Sequence, residues 1–274
     1  MPLVGKVTVI TGGARGLGRA MGFGLLAAGA SVVLVDIDGD ALDEAVGLAP
    51  GARDRILGLQ GDVSREASVQ SIIEKTVDRF GRLDILVNNA GVTVDQVRLN
   101  PREGGRRYWE VTREEFRQLM DINTVGVFLM TVAALPAMLE RKWGRIINVT
   151  TSLDTMWRLF PYGGSKAANE ANTVVLAKDL TGSGVTANVL VPGGPVDTRL
   201  TAGLVKGPDR ARLIPAEVMV PPLLWLASDA SDDYNGWRFI ADKWDDKLPL
   251  RDAARRCGSP AAWQQLGLQA RQVT

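Results

Sequence analysis

A glycine turn at residues 11–18 leaves this chain few choices of architecture. The apolar run Lys6-Val7-Thr8-Val9-Ile10 enters Thr11-Gly12-Gly13-Ala14-Arg15-Gly16-Leu17-Gly18, and a helix rich in small residues leaves it over residues 19–29. An apolar run without alternation is the signature of a strand covered on both faces, as in a parallel sheet. Glycines at such a strand-to-helix turn let backbone approach a phosphate, and the helix N-terminus adds N–H groups and positive dipole. The spacing Gly12-x-x-x-Gly16-x-Gly18 departs from the common Gly-x-Gly-x-x-Gly and alone could equally be a plain tight turn. The strand before it and the helix after it make it a pyrophosphate site.

The alternation continues. A second strand over residues 31–35 ends at Asp36, roughly 20 residues past the glycines, where a carboxylate can accept hydrogen bonds from an adenosine ribose. The same carboxylate repels a 2′-phosphate, and the next residue is Ile37 rather than arginine, so NAD(H) is expected over NADP(H). Arg15 dissents, because it could reach a 2′-phosphate. Asp36 could instead serve only as a helix cap before Asp38-Gly39-Asp40.

Further strands are expected at 55–59, 83–87, 144–149, 185–191 and near 237–240. Helices are expected at about 65–80, 112–141, from Tyr162 to 180 and near 221–228. This order specifies an α/β fold: one doubly wound (Rossmann) parallel sheet of about seven strands, helices on both faces, right-handed crossovers. Ligands of such sheets lie beyond the carboxyl ends of the strands. The glycine loop, Asp36, Asp62-Val63, Asn88-Asn89-Ala90-Gly91 and Pro192-Gly193 all fall there. Residues 1–274 read as a single domain, with a tail from about 245, rich in Arg, Gln and Ala, that could pack on a neighbour. The polar loop at 92–111, with Arg98, Arg102, Arg106, Arg107, Tyr108 and Trp109, is either a substrate wall or a solvated or subunit-facing loop. The segment 199–215 is polar and weakly patterned.

Composition narrows the chemistry. The chain has no histidine and one cysteine, Cys257. That removes Ser-His-Asp and Cys-His hydrolases, nearly every catalytic zinc site and any internal disulfide, so no metal site is expected. A net charge of +1 gives no global field for nucleic acid. No apolar run is read as approaching the roughly 18 residues of a membrane span, and no signal segment precedes the first strand, so the cytoplasm is the expected compartment. Acid–base work must fall to tyrosine, lysine or a perturbed carboxyl. Tyr162-Gly163-Gly164-Ser165-Lys166 supplies it: residues four apart share a helix face, and an ammonium beside a phenol favours its ionised form. Alone, the pair could be a buried tyrosine beside a solvated lysine.

Taken together, these motifs resemble the short-chain dehydrogenase/reductase family over about residues 6–242. Thr11-Gly12 to Gly18 is similar to its cofactor turn, Asn88-Asn89-Ala90-Gly91 to its strand-four signature, Tyr162 to Lys166 to its catalytic motif, and Pro192-Gly193 to the motif after strand six. The resemblance implies hydride transfer between NAD(H) and a secondary alcohol or ketone. Tyr162 would be the general acid/base, Lys166 would hold the nicotinamide ribose and lower the tyrosine pKa, and Asn123 would hold a relay water. A hydroxyl after strand five would polarise the substrate oxygen. Cofactor contacts are implied for Gly12, Arg15, Gly16, Leu17, Gly18, Asp36, Asp62, Val63, Asn89, Ala90, Gly91, Tyr162, Lys166, Pro192, Gly193, Val196 and Thr198.

Three departures stand out. The hydroxyl that aligns by counting from Asn148 is Thr151, the segment from Ser152 to Tyr162 is short, and Gly193 to Thr198 carries one extra residue. A shortened loop should draw the later residue toward Tyr162, so Ser152 is expected to carry the role. By the same resemblance, residues 218–227 and the Ala167, Ala168, Ala171, Val174, Val175 face should form two-fold interfaces of a homodimer or homotetramer. Arg158 and Trp157 could line the substrate pocket. Two rivals remain: a longer-chain sugar-nucleotide epimerase or dehydratase, disfavoured by glycine spacing and length, and an NAD-sensing or scaffold protein without turnover, for which the catalytic set would be superfluous.

Overall fold

The computed structural model describes residues 1–93, 107–198, 201 and 212–264. Arg98, Arg102 and Arg106 of the arginine-rich loop, most of segment 199–215 and the end of the tail lie outside them. The strands are β1 (Val7–Thr11), β2 (Ser31–Asp36), β3 (Ile56–Gln60), β4 (Ile85–Asn88), β5 (Gly144–Val149), β6 (Val185–Val191), β7 (Trp237–Ile240) and β8 (Gly258–Pro260). They form one sheet in the order β3-β2-β1-β4-β5-β6-β7-β8, parallel except that β8 runs antiparallel to β7. The doubly wound expectation holds, with an added edge. β8 and the helix α9 (Leu250–Cys257) fold from residues expected to be tail. Cys257 is buried there, its thiol pushed up to about 11 chiefly by desolvation.

Every strand of the apolar series feeds both faces, because successive side chains point opposite ways. Ile10, Val32, Leu34, Ile85, Val87 and Ile147 join one core cluster, with Leu25 of α1 (Gly16–Ala27) and Leu223 of α8 (Val220–Leu226). Val9, Val33, Leu86 and Ile146 join the other, with Ile72 of α3 (Glu66–Phe80) and Met130, Ala134 and Met138 of α5 (Gly126–Glu140). This is why the strands read as continuous apolar runs.

Most of residues 218–227, expected to form an interface, pack into the core of this chain. Met219, Leu223, Trp225 and Ala227 are fully buried, and Trp225 packs edge-on against Tyr234 and Phe239 at centroid separations of 4.9 and 5.3 Å. Each such pair contributes about 0.5–1.5 kcal/mol beyond its buried area. The surplus apolar surface is elsewhere, on the outer face of α5, where Phe128 and Val132 are 60% and 49% exposed.

The long helix expected at 112–141 is present but not uniform. α4 (Arg113–Met120), capped by Thr112 and Glu115, passes through a π-helical turn (Asp121–Val125) into α5. The stretch Arg113–Glu140 is long and apolar enough to cross a membrane by length and composition, contrary to the expectation that no such run exists. A third of its most apolar window is buried in the protein. Between β5 and the tyrosine helix, α7 (Tyr162–Asp179), a short helix α6 (Leu153–Arg158) intervenes; the sequence pattern had not shown it, nor α2 (Gly39–Gly47).

Candidate active site

The carboxyl ends of β1, β4, β5 and β6 converge where the strand order switches between β1 and β4. The glycine loop is tied to this edge by Thr11, whose hydroxyl accepts from the backbone N–H groups of both Asn89 and Ala90 at 3.0 Å. In return the Asn89 amide donates to the carbonyls of Thr11 (3.0 Å) and Gly12 (3.2 Å). Gly12 has φ +65°, and a Cβ on Gly18 would sit 2.0 Å from the Gly12 carbonyl oxygen, so only glycines close this turn onto the head of α1. Thr198 lies against the loop: a Cβ on Gly16 would meet its methyl at 3.1 Å. Leu17 follows in the first turn of α1.

Asp36 ends β2 at this edge. Its carboxylate accepts from the N–H of Ala14 and of Asp38, each at 3.2 Å, fixing the loop while leaving further lone pairs for a ligand. Arg15 does not stand free. Its guanidinium pairs with Asp38 at 2.7 Å. Asp62 is spent on its own turn, accepting from the N–H and hydroxyl of Ser64, and Val63 is buried against Gly126. Past β6, the Pro192 carbonyl accepts from the Asp242 N–H at 2.9 Å, Gly193 backs onto the same aspartate, and Val196 bridges to Ile214. A cradle of glycines at a helix head, a carboxylate at the end of β2 and small residues after β4 fits a dinucleotide.

The chemistry-bearing residues meet around Tyr162. One turn on, Lys166 is 3% exposed, and its Nζ donates to the Val149 carbonyl at 3.0 Å. Desolvation pushes that ammonium down to about 8. Tyr162 is pushed up to about 12 by burial, opposed by a hydrogen bond from the Thr151 hydroxyl. The expected lowering of the phenol by Lys166 is therefore not what dominates here. The hydroxyl beside the phenol is that of Thr151 rather than Ser152. Ser152 is the N-cap of α6, its hydroxyl accepting from the Thr155 N–H at 3.2 Å and lying 2.9 Å from the Thr155 hydroxyl. The short loop forms a helix, and its cap faces that helix rather than Tyr162.

Asn123 sits inside the π turn, fully buried. Its amide brackets Val92, accepting from its N–H at 2.8 Å and donating to its carbonyl at 2.9 Å, and donates to the Ser165 hydroxyl at 3.1 Å. The extra residue of a π turn rotates Asn123 inward to make these bonds. Its backbone carbonyl accepts from the Asn169 amide at 2.6 Å. Sequence reasoning missed Thr11, Asp38, Asn169 and the buried pair Glu170–Arg238. Of these, Glu170 carried a signal: it lies eight residues past Tyr162, on the same helix face. Trp157 is largely exposed, and Arg158 pairs with Asp154 on the outer side of α6. At the described end of the arginine-rich loop, the Tyr108 ring lies 3.9 Å from that of Phe160.

Such a sheet edge, with a dinucleotide cradle beside a buried tyrosine–lysine pair, defines a nucleotide-dependent oxidoreductase. Residues 6–209 match the short chain dehydrogenase family, and the chain belongs to it. It is 32% identical over 251 residues to a 3-oxoacyl-[acyl-carrier-protein] reductase of Synechocystis, covering 88% of this chain and 96% of that one. It is 36% identical over 248 residues to an L-fucose dehydrogenase of Oryctolagus cuniculus, covering 83% and 80%. A (2S)-[(R)-hydroxy(phenyl)methyl]succinyl-CoA dehydrogenase subunit of Thauera aromatica is 33% identical over 197 residues, covering 70% and 74%. The protein is thus a dehydrogenase/reductase acting on CH–OH or C=O groups, in a family whose cofactors are NAD(H) or NADP(H).

Proposed function

We propose that the protein interconverts a small secondary alcohol and its ketone with NAD(H), using Tyr162 as the acid/base. The observation that carries this reading is the buried Tyr162–Lys166 pair, one turn apart at the ligand edge of the sheet, with the Thr151 hydroxyl beside the phenol. Nicotinamide dinucleotide, when bound, supplies or accepts the hydride, and the protein manages orientation and the proton. A phenol held near 12 is protonated at neutral pH, the form that donates to a ketone oxygen as it gains negative charge. Thr151 is the second donor to that oxygen. In the reverse direction the phenol must first lose its proton, so oxidation should quicken as pH rises. Lys166, held near 8, yields a proton more readily than an ordinary lysine and can resupply the phenol. Asn123 acts by fixing Val92 and Ser165 rather than through a free amide.

The NAD(H) preference rests on Asp36 and on Asp38, which holds Arg15 in an ion pair. The relatives' names span acyl-carrier, sugar and thioester substrates, so the substrate is assigned here as a ketone or secondary alcohol. Self-association into a homodimer or homotetramer and a cytoplasmic location remain part of this reading. The test is a screen of ketones with NADH and alcohols with NAD⁺, comparing wild type with Tyr162→Phe. The variant keeps the ring and should lose roughly 10² to 10⁴ in kcat while still binding cofactor. Cofactor binding with no turnover of any substrate by the wild type would favour the sensor reading instead.

A further inference from the structure

Glu170 and Arg238 form an ion pair beneath the reacting groups that the chemistry above does not use. Glu170 lies on the buried face of α7, two turns past Tyr162, and is fully buried; Arg238, in β7, is 8% exposed. One arm of the guanidinium binds the Glu170 carboxylate. The other donates to the backbone carbonyl of Thr151 at 3.0 Å. The carboxylate also accepts from the Thr150 hydroxyl at 3.3 Å and, through its second oxygen, from the Ala262 N–H at 3.3 Å, just beyond β8. The last β5–β6 bond is that of the Thr150 N–H to the Leu190 carbonyl, so the Thr151 carbonyl stands past the end of the ladder. A pair kept for stability alone could be exchanged for packed apolar side chains at little cost. This one reaches both residues that follow β5.

We propose that Glu170–Arg238 is a positioning pair that orients Thr151, so that its hydroxyl meets the Tyr162 phenol, with the segment after β8 as a third anchor. The inference rests on Thr151 being the polarising hydroxyl. Arg238 supplies what lysine cannot, a planar fork that bonds a carboxylate and a carbonyl at once.

The test uses the free full-length protein with ¹³Cζ-labelled tyrosine, the Tyr162 resonance being identified by its loss in Tyr162→Phe. Thr151→Val should move that resonance by removing the hydrogen bond. Arg238→Lys, which keeps the charge pair but loses the fork, should move it in the same direction. The double variant Glu170→Leu/Arg238→Met should do so as well, with its unfolding midpoint near that of wild type; it covers the case in which Arg238→Lys folds poorly. If Thr151→Val moves the resonance and neither pair variant does, the positioning role is overturned while the Thr151 reading stands. An unmoved resonance in Thr151→Val overturns the Thr151 reading, and this inference with it.

Discussion

The Lys166 ammonium lies 5.7 Å from the centre of the Tyr162 ring, one helical turn away on the same buried face of α7. Burial drives both groups toward neutrality, the lysine down to about 8 and the tyrosine up to about 12. Gly91 packs so closely against the lysine that a Cβ there would stand 3.3 Å from Nζ. The site therefore holds two desolvated proton carriers on one helix face, with Gly91 packed against the ammonium.

That arrangement should burden stability, and Lys166→Met measures the burden. A lysine at about 8 in the folded protein and 10.5 in the open chain is bound to more protons when unfolded between those values. Wild-type stability should accordingly rise with pH across that window, by an amount on the order of 3 kcal/mol, from the free-energy equivalent of a pKa change. The variant lacks this term but leaves the Val149 carbonyl unpaired, at about 1–3 kcal/mol. Denaturant titrations should find Lys166→Met the more stable protein at pH 7 and the less stable at pH 10. A constant difference at the two pH values would contradict the assignment.

Thr151 and Ser152 should separate cleanly in turnover. Losing a hydrogen bond aimed at a developing oxyanion lowers kcat roughly 10²- to 10³-fold, which is the expectation for Thr151→Val. Ser152→Ala removes the α6 cap, costing about 1 kcal/mol in stability and little in kcat. The reverse pattern in steady-state kinetics would return the role to Ser152.

Cofactor choice should respond to the Arg15–Asp38 pair. Asp38→Asn releases the guanidinium and should strengthen NADPH binding relative to NADH, as measured by calorimetry. Asp36→Ala should erode the preference for NADH by removing the charge opposed to a 2′-phosphate. Tighter binding of NADPH than NADH by the wild type would refute the proposed preference.

Self-association should run through the outer face of α5. Val125, Phe128, Val132 and Leu139 recur at helical spacing and are all exposed. Light scattering at micromolar concentration should give the mass of two or four chains, and Phe128→Asp/Val132→Asp should lower it. A monomeric wild type would end this proposal.

The chain's own pattern determined much of the result. Apolar runs covered on both faces, glycines at the first turn and a carboxylate at the end of β2 dictate a doubly wound sheet and its ligand edge. These are properties of residues close in sequence. Tyr162 and Lys166 share a helix face by spacing alone, and so were legible as a pair. The tertiary structure decided what depends on distant partners. Counting along the chain could not show that Ser152 turns away to cap α6, because the cap exists only once that short helix forms. Nor could it show that Arg238, 87 residues past Thr151, would hold its carbonyl. Residues 218–227 were apolar enough for an interface, but the aromatic cluster around Trp225 claims them for the core. Lys166 and Tyr162 take their pKa values from burial, and burial is set by the whole fold rather than by the three residues between them.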